Sequence, residues 1–114
     1  MELLYISAPY RAKHIHQVHY NIQQAELLAQ YYWLKGFSVI CPHKNTSYFD
    51  GLVPDDVFLD GTLAMLQVCN HIAMHPNWKK SAGCVCESIY AKRLQKQFHY
   101  PNMDEVLHYL KEAL

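Results

Sequence analysis

The stretch Leu3-Leu4-Tyr5-Ile6-Ser7-Ala8-Pro9 decides the fold of this chain, because a short apolar run leads directly into a turn. A continuous apolar run of this length, closed by turn residues, is typical of a strand buried on both faces. A long segment with helical periodicity follows, from about Ala12 to Leu34, and Gly36 supplies a left-handed stop. The apolar positions that recur every three or four residues in this segment are Ile15, Val18, Ile22, Ala25, Ala29 and Tyr32.

The rest of the sequence repeats this alternation of short apolar runs and longer periodic ones. The predicted elements are a second strand Phe37–Cys41, a polar loop over 43–55, a helix Val57–Leu66, a third strand Val68–Met74, a loop His75–Lys80, a helix Ala82–Leu94 and a weak fourth strand Gln97–Tyr100. A last helix is predicted after Asn102, with Glu105 completing a capping box. Its predicted inward-facing residues are Val106, Leu107, Leu110 and Leu114.

This alternation predicts an α/β fold, a three-layer, doubly wound parallel sheet similar to flavodoxin or Rossmann folds. We expect four to five strands in the order 2-1-3-4, or 2-1-3-4-5, within a single domain spanning 1–114. In such sheets ligands bind at the carboxyl ends of the strands, where the strand order reverses. The sequence therefore places Ser7–Arg11 opposite His75–Gly83 at the ligand site.

Composition narrows the classes of partner. Lys plus Arg and Asp plus Glu balance at 10 each, which argues against a nucleic acid polymer as partner. No basic leader is visible, and no apolar run reaches the roughly 20 residues of a membrane-spanning helix. The four cysteines form no C-x-x-C pair. We therefore expect a cytoplasmic protein with reduced cysteines and no membrane partner.

The stretch Ser81-Ala82-Gly83-Cys84-Val85-Cys86-Glu87 is the most informative for chemistry. Ser81 is a predicted N-cap, so the helix would direct free N–H groups toward the ligand crevice. Gly83 and Glu87 are four residues apart and share one helix face, with the Glu87 carboxylate leaning toward the pocket over the space that Gly83 leaves open. Such a carboxylate can act as a nucleophile or stabilise an oxocarbenium ion. The alternative is a Glu87 that faces solvent on an ordinary helix.

Other polar residues near the predicted crevice have both functional and structural interpretations. The turn after the first strand supplies Ser7, Pro9 and Arg11 as substrate-binding candidates, although Arg11 could equally be a solvated residue. Asp60 could be a general acid or base, or simply an acidic residue near a helix N-terminus. In the polar loop, His43 and Asn45 could hydrogen-bond a base or serve as turn residues. The histidines match no metal-ligand spacing, so we expect no bound metal.

Four segments together resemble the nucleoside 2-deoxyribosyltransferase-like superfamily, in particular a group of small uncharacterised proteins of bacteria and their viruses. The segments are Tyr5-Ile6-Ser7-Ala8-Pro9-Tyr10-Arg11, Cys41-Pro42-His43-Lys44-Asn45-Thr46, Phe49-Asp50-Gly51, and Ser81-Ala82-Gly83 before Glu87. The resemblance covers nearly the whole chain. Within that superfamily, the chain is also similar to the 2'-deoxynucleoside 5'-monophosphate N-glycosidases.

The resemblance implies that Glu87 attacks or stabilises the anomeric carbon of a nucleoside or nucleotide and that Tyr5 orients Glu87. It also implies that Arg11 and Ser81 hold a phosphate, and the position of Ser7 beside the turn makes it a further candidate for that phosphate. No cofactor is implied, and the partner expected is a second copy of the chain in a homodimer or larger oligomer. The expected reaction is cleavage of, or transfer at, an N-glycosidic bond.

One position departs from the resemblance. The family's second catalytic Asp usually stands directly before a Leu-x-x-Leu run, and here Thr62 precedes Leu63-Ala64-Met65-Leu66. Asp60 is two residues earlier, about 200° away around an α-helix, and substitutes only if the segment begins in a turn. The alternative function is therefore a catalytically weak domain that binds, senses or sequesters a nucleotide-derived ligand. A third alternative is an interaction domain that keeps only the fold.

Overall fold

The computed structural model describes residues 1–114 and has the predicted α/β architecture. Four parallel strands lie in the order β2-β1-β3-β4, so the predicted order is confirmed and no fifth strand forms. The elements are β1 Leu3–Ser7, α1 Ile15–Leu34, β2 Ser38–Ile40, α2 Pro42–Thr46, α3 Asp55–Gln67, β3 His71–Met74, α4 Ala82–Arg93, β4 Gln97–His99 and α5 Met103–Ala113, with a 3₁₀ turn at Trp78–Lys80.

The central strand β1 separates two apolar clusters, one on each face of the sheet. It pairs in parallel with β2 and with β3, where Tyr5 lies opposite Ile40 and Ile72 respectively. Side chains alternate between the faces of a strand. Leu4 and Ile6 accordingly pack in a cluster with residues of α1 and α5. Tyr5 faces the other cluster, with residues of α3 and α4. The sheet, with helices packed over a cluster on each face, is therefore the middle of three layers.

The first helix confirms the predicted stripe with one exception. Val18, Ile22, Ala25, Ala29 and Tyr32 are buried, together with Leu28. Ile15 is exposed, because the helix begins at Ile15 and not near Ala12, which leaves this residue at the open end. Gly36 has φ of +96°, as predicted for a left-handed stop.

The segment predicted as a loop over 43–55 is partly helical. α2 begins at Pro42, whose fixed φ suits the first turn of a helix and whose missing N–H needs no partner there. The following helix, α3, begins at Asp55 after Pro54, two residues earlier than predicted. Residues 47–54 remain irregular, and Gly51 has φ of +83°.

The C-terminal helix has the predicted cap. The Asn102 side chain accepts a hydrogen bond from the backbone N–H of Glu105 at 3.1 Å. Val106 and Leu110 are buried, but Leu107 and Leu114 are exposed. The prediction of inward-facing residues was therefore wrong for two of the four. Residues 106 and 110 are four apart on one helix face, which residue 107 does not share.

Two histidines join three segments at the amino-end edge of the sheet, opposite the carboxyl ends. His71 on β3 hydrogen-bonds through Nε2 to the Glu2 carboxylate, and its Nδ1 lies 2.9 Å from Nε2 of His99 on β4. The ring of Phe37 packs against both histidines. All four cysteines are free, and Cys69 and Cys84 are buried. No helix of the structure is long and apolar enough to span a membrane.

Candidate functional site

A cavity of about 480 Å³ opens at the carboxyl ends of the strands, where the order reverses between β1 and β3. Its volume lies within the range of ligand sites. The wall comes from the β1–α1 turn, α2, α3 and the start of α4. Its polar and charged lining residues are Tyr5, Tyr10, Arg11, His43, Thr46, Asp50, Asp55, Thr62, Lys80, Ser81 and Glu87.

Glu87 lies at the inner wall of this cavity, not in solvent. Its position on α4, one turn after Gly83, directs the carboxylate back over the start of the helix. The residue is 8% exposed. The structure thus excludes the alternative of a solvent-facing Glu87. A Cβ built on Gly83 would meet only Ser81 Oγ at 3.9 Å, so the space above this glycine is open.

Two hydroxyl groups of β1 hold the Glu87 carboxylate. The Tyr5 hydroxyl donates to Oε2. The Ser7 hydroxyl donates to Oε1 at 2.7 Å. Tyr5 and Ser7 are two residues apart on a strand and therefore point to the same face. Each carboxylate oxygen receives one buried donor.

The pKa values of Glu87 and Tyr5 follow from this burial. Burial raises the pKa of Glu87 above its ordinary value, while the hydroxyls of Tyr5, Ser7 and Thr62 act in the opposite direction. Burial, followed by the charge of Glu87, raises the pKa of Tyr5 well above its ordinary value. Tyr5 therefore stays a protonated donor at all physiological pH values. Burial therefore makes the Glu87 carboxylate a stronger base than that of an exposed glutamate.

Ser7 does not reach the position expected of a phosphate ligand. Its side chain is 1% exposed, does not border the cavity, and is turned toward Glu87. Ser7 was expected on phosphate because it lies near the turn. The strand continues through Ser7, however, so its side chain follows the alternation of β1 and points into the core beside α4.

The turn after β1 is tied to α2 by His43. Its Nε2 lies 2.9 Å from the carbonyl oxygen of Pro9. A carbonyl only accepts, so Nε2 carries the proton. Burial lowers the pKa of His43, so the ring is neutral at pH 7. Pro9 and His43 both line the cavity, and the structure brings these two predicted residues together.

Two pairs of side chains cross the mouth of the cavity, and no local spacing predicts either pair. Arg11 lines the cavity, but its guanidinium contacts the Asp55 carboxylate at 2.5 Å, and both side chains are largely exposed. The Tyr10 hydroxyl donates to Asp50 at 2.7 Å and accepts from the backbone N–H of Tyr48 at 2.8 Å. Asp50 and Asp55 are the additional carboxylates of the cavity.

The start of α4 forms the opposite wall. Ser81 is the N-cap, as predicted, and its Oγ accepts from the backbone N–H of Cys84 at 3.2 Å. Lys80, directly before it, also lines the cavity. A lysine beside the N-terminus of a helix is a favourable environment for an anion.

Asp60 and Asn45 are not brought to the cavity. Asp60 is exposed on α3, because α3 is already helical from Asp55 and residue 60 lies on the side opposite Thr62. Asn45 is exposed on α2, with His43 on the buried side. Thr62 occupies the wall beside Glu87, and its hydroxyl donates to the carbonyl oxygen of Leu59 at 3.0 Å. No group of three or more His, Cys, Asp or Glu residues is arranged to hold a metal ion.

Comparison with known protein families identifies the family of this chain. A sequence model of the family described as Domain of unknown function (DUF4406) matches residues 4–100. The chain belongs to this family. No curated protein matches it. The DUF4406 match runs from β1 to the residue after β4, so it includes every residue that lines the cavity, and α5 lies outside it.

Proposed function

We propose that this DUF4406 protein cleaves, or transfers at, the N-glycosidic bond of a nucleoside 5'-monophosphate or nucleoside. The observation that carries the proposal is the Glu87 carboxylate, buried at the inner wall of the cavity with a hydroxyl donor on each oxygen. The resemblance of Tyr5, Arg11, Ser81 and Glu87 to the nucleoside 2-deoxyribosyltransferase-like superfamily supports it.

The reaction follows from the chemistry of a positioned carboxylate. Ionised Glu87 attacks the anomeric carbon, or stabilises the oxocarbenium ion that forms there, as the bond to the base nitrogen breaks. The bonding electron pair leaves with the base, which takes up a proton. Water then forms a bond to the anomeric carbon, and where a glycosyl–Glu87 ester has formed its C–O bond breaks, which frees the carboxylate. The proton that water loses balances the proton taken up by the base. A second free base in place of water gives transfer, and no feature of the site excludes that variant.

The start of α4 supports a phosphate at one end of the substrate. Ser81, Lys80 and the free N–H groups of the first helical turn all face the cavity at this point. Arg11 is the other cation of the cavity. Its contact with Asp55 means that a phosphate reaching Arg11 competes with that carboxylate. Because the pair is exposed, it contributes little stability and is readily exchanged.

Release of free base tests the proposal directly. The protein is incubated with a panel of ribo- and deoxyribonucleosides and their 5'-monophosphates, with and without a different free base, and products are separated by chromatography. Glu87→Ala is the test variant, and Glu112→Ala, an exposed site on α5, is the matched control. We expect release by the wild type and by Glu112→Ala but not by Glu87→Ala. No release from any substrate at high protein concentration, with acceptor bases present, would refute the enzyme proposal.

A second candidate function is favoured by the absence of a carboxylic acid beside Glu87. Thr62 occupies that wall and Asp60 faces solvent, so no carboxyl group of this chain lies beside Glu87. The other carboxyl groups of the cavity, those of Asp50 and Asp55, are paired with Tyr10 and Arg11 at its mouth. Loss of a general acid commonly reduces the rate by about 10²–10⁴-fold. The second candidate is a domain that binds and senses or sequesters a nucleotide-derived ligand. Tight binding without turnover, unchanged in Glu87→Gln, would favour it over the enzyme.

The resemblance also leads us to propose a homodimer or larger homo-oligomer in the cytoplasm. The four free cysteines agree with a reducing compartment. Sedimentation velocity on the purified chain tests the oligomer, and a monomer at micromolar concentration would contradict it.

A further inference from the structure

Ser7 lies on β1, which is paired with a neighbouring strand on each side. It is the last residue of β1 and lies opposite Met74 of β3 in the parallel register. Its backbone carbonyl also accepts from the N–H of His75 at 2.9 Å. The side chain is 1% exposed. A hydroxyl held in this way has little freedom to serve a ligand, and it donates to the Glu87 carboxylate.

The two donors of β1 fix the carboxylate of Glu87 in one orientation. A carboxylate with a single donor can still turn about its terminal bond, which has a broad torsional minimum. Here Tyr5 binds one oxygen and Ser7 binds the other, from two points of the same strand. The carboxylate plane is thereby defined by the backbone of β1 and not by the helix that carries Glu87.

We propose that Ser7 is a positioning residue that acts through Glu87, holding its carboxylate in the orientation in which it meets the anomeric carbon. This inference rests on the proposed function for the identity of the reacting atom. It replaces the phosphate-binding role that the position of Ser7 beside the turn had predicted. The hydroxyl also favours the ionised carboxylate, because it donates to a negatively charged oxygen.

Removal of the Ser7 hydroxyl has a defined consequence for Glu87. Burial already raises the pKa of this carboxyl, and the Ser7 hydrogen bond is one of the interactions that opposes the rise. In Ser7→Ala the pKa of Glu87 should therefore rise further, because the loss of a hydrogen bond to a charged oxygen disfavours the ionised form. A residue that serves only packing would not produce this change.

The matched control is Ser88→Ala. Ser88 is also a buried serine, 3% exposed, and it follows Glu87 directly on α4, but it donates no hydrogen bond to that carboxylate. The same side-chain atoms are removed in the same neighbourhood. Any general effect of a lost serine hydroxyl near the site should therefore appear in both variants.

The experiment titrates the Glu87 carboxyl carbon by ¹³C NMR in the wild type, Ser7→Ala and Ser88→Ala, with the resonance assigned by its loss in Glu87→Gln. We expect the midpoint to move upward in Ser7→Ala alone. An unchanged midpoint in folded Ser7→Ala, or an equal movement in Ser88→Ala, would overturn the proposal.

The pH dependence of kcat/KM supplies the second readout. The acid limb of kcat/KM, which reports pKa values of the free protein, should move upward in Ser7→Ala by the same amount as the NMR midpoint, with KM little changed, since Ser7 does not border the cavity. An acid limb that stays in place while the NMR midpoint moves would also overturn the positioning role. The NMR titration needs no substrate, so absence of base release by the wild type refutes the proposed function without being mistaken for a result on Ser7.

Discussion

Replacement of Glu87 by glutamine should make the protein more stable at neutral pH while abolishing base release. The substitution keeps the shape of the side chain and removes one buried charge. Two contributions oppose each other. Two hydrogen bonds to a charged group, each of about 1.5–3 kcal/mol, become bonds between neutral groups of about 0.5–1.5 kcal/mol. Against this, taking a carboxylate out of water costs several kcal/mol, and the variant avoids that cost.

The direction of the pKa shift of Glu87 shows which contribution is larger. Because the pKa is raised in the folded protein, burial outweighs the hydroxyl donors, and the folded state disfavours the charge. A group with a raised pKa contributes stability below its unfolded pKa and loses it as the pH rises through the folded pKa. We therefore expect Glu87→Gln to gain about 1 kcal/mol at pH 7.5, a typical gain for relieving a destabilising functional residue. The gain should vanish near pH 4, where Glu87 is protonated.

Urea unfolding at pH 7.5 and pH 4, followed by circular dichroism, measures this difference. Glu112→Gln on the exposed face of α5 is the control and should stay within about 0.5 kcal/mol of the wild type at both pH values. A Glu87→Gln variant that is less stable than the wild type at pH 7.5 would refute the reasoning. So would a difference that is the same at both pH values, because it would show that the charge is not the cause.

Three further outcomes follow from single contacts. Tyr5→Phe should lose about 2 kcal/mol in urea unfolding at pH 7.5, and less at pH 4, because a charged acceptor loses its donor; an equal loss at both pH values would contradict this. A Glu87→Gln background removes the opposite pH dependence of stability that Glu87 contributes. In that background the free energy of unfolding should fall as the pH drops below about 6.5, because histidine rings with lowered pKa values protonate first in the unfolded chain. The rings are those of His43, His75 and His99, and an unfolding free energy that is constant from pH 7 to pH 5 would exclude this linkage. Asn102→Ala should lose about 1 kcal/mol in thermal or urea unfolding, whereas Asn45→Ala, on exposed α2, should be neutral.

The strands and long helices could be predicted because their periodicities are strong. Leu3–Ile6 is apolar without interruption, and residues of β1 are buried on both faces. The region after β2 could not be predicted as well. Residues 42–46 are short and polar, and they become helical because Pro42 begins a turn whose His43 side chain contacts the Pro9 carbonyl. That contact joins positions 34 residues apart, which local pattern cannot show.

The site was predictable where it depends on position within an element. The spacing of Gly83 and Glu87 placed the carboxylate at the pocket, and the place of Ser81 before the helix made it the cap. Contacts between distant loops were not predictable. Nothing local in the sequence indicates that Asp55 contacts Arg11, 44 residues away. The helical phase of α3 also had to be known before Thr62 could be assigned to the cavity and Asp60 to solvent.

The cavity is built from two parts that differ in mechanical character. Its inner wall, with Tyr5 backed by Ser7, belongs to a strand with a paired neighbour on each side, and such backbone opens only when the whole domain unfolds. Its outer rim, with Asp50 and Asp55, belongs to irregular or terminal segments whose pairs are exposed. Changes in the rim can therefore alter which molecule is admitted while the geometry around Glu87 is preserved. The reverse is not possible, because a shift of one residue in β1 would turn both hydroxyls into the opposite apolar layer.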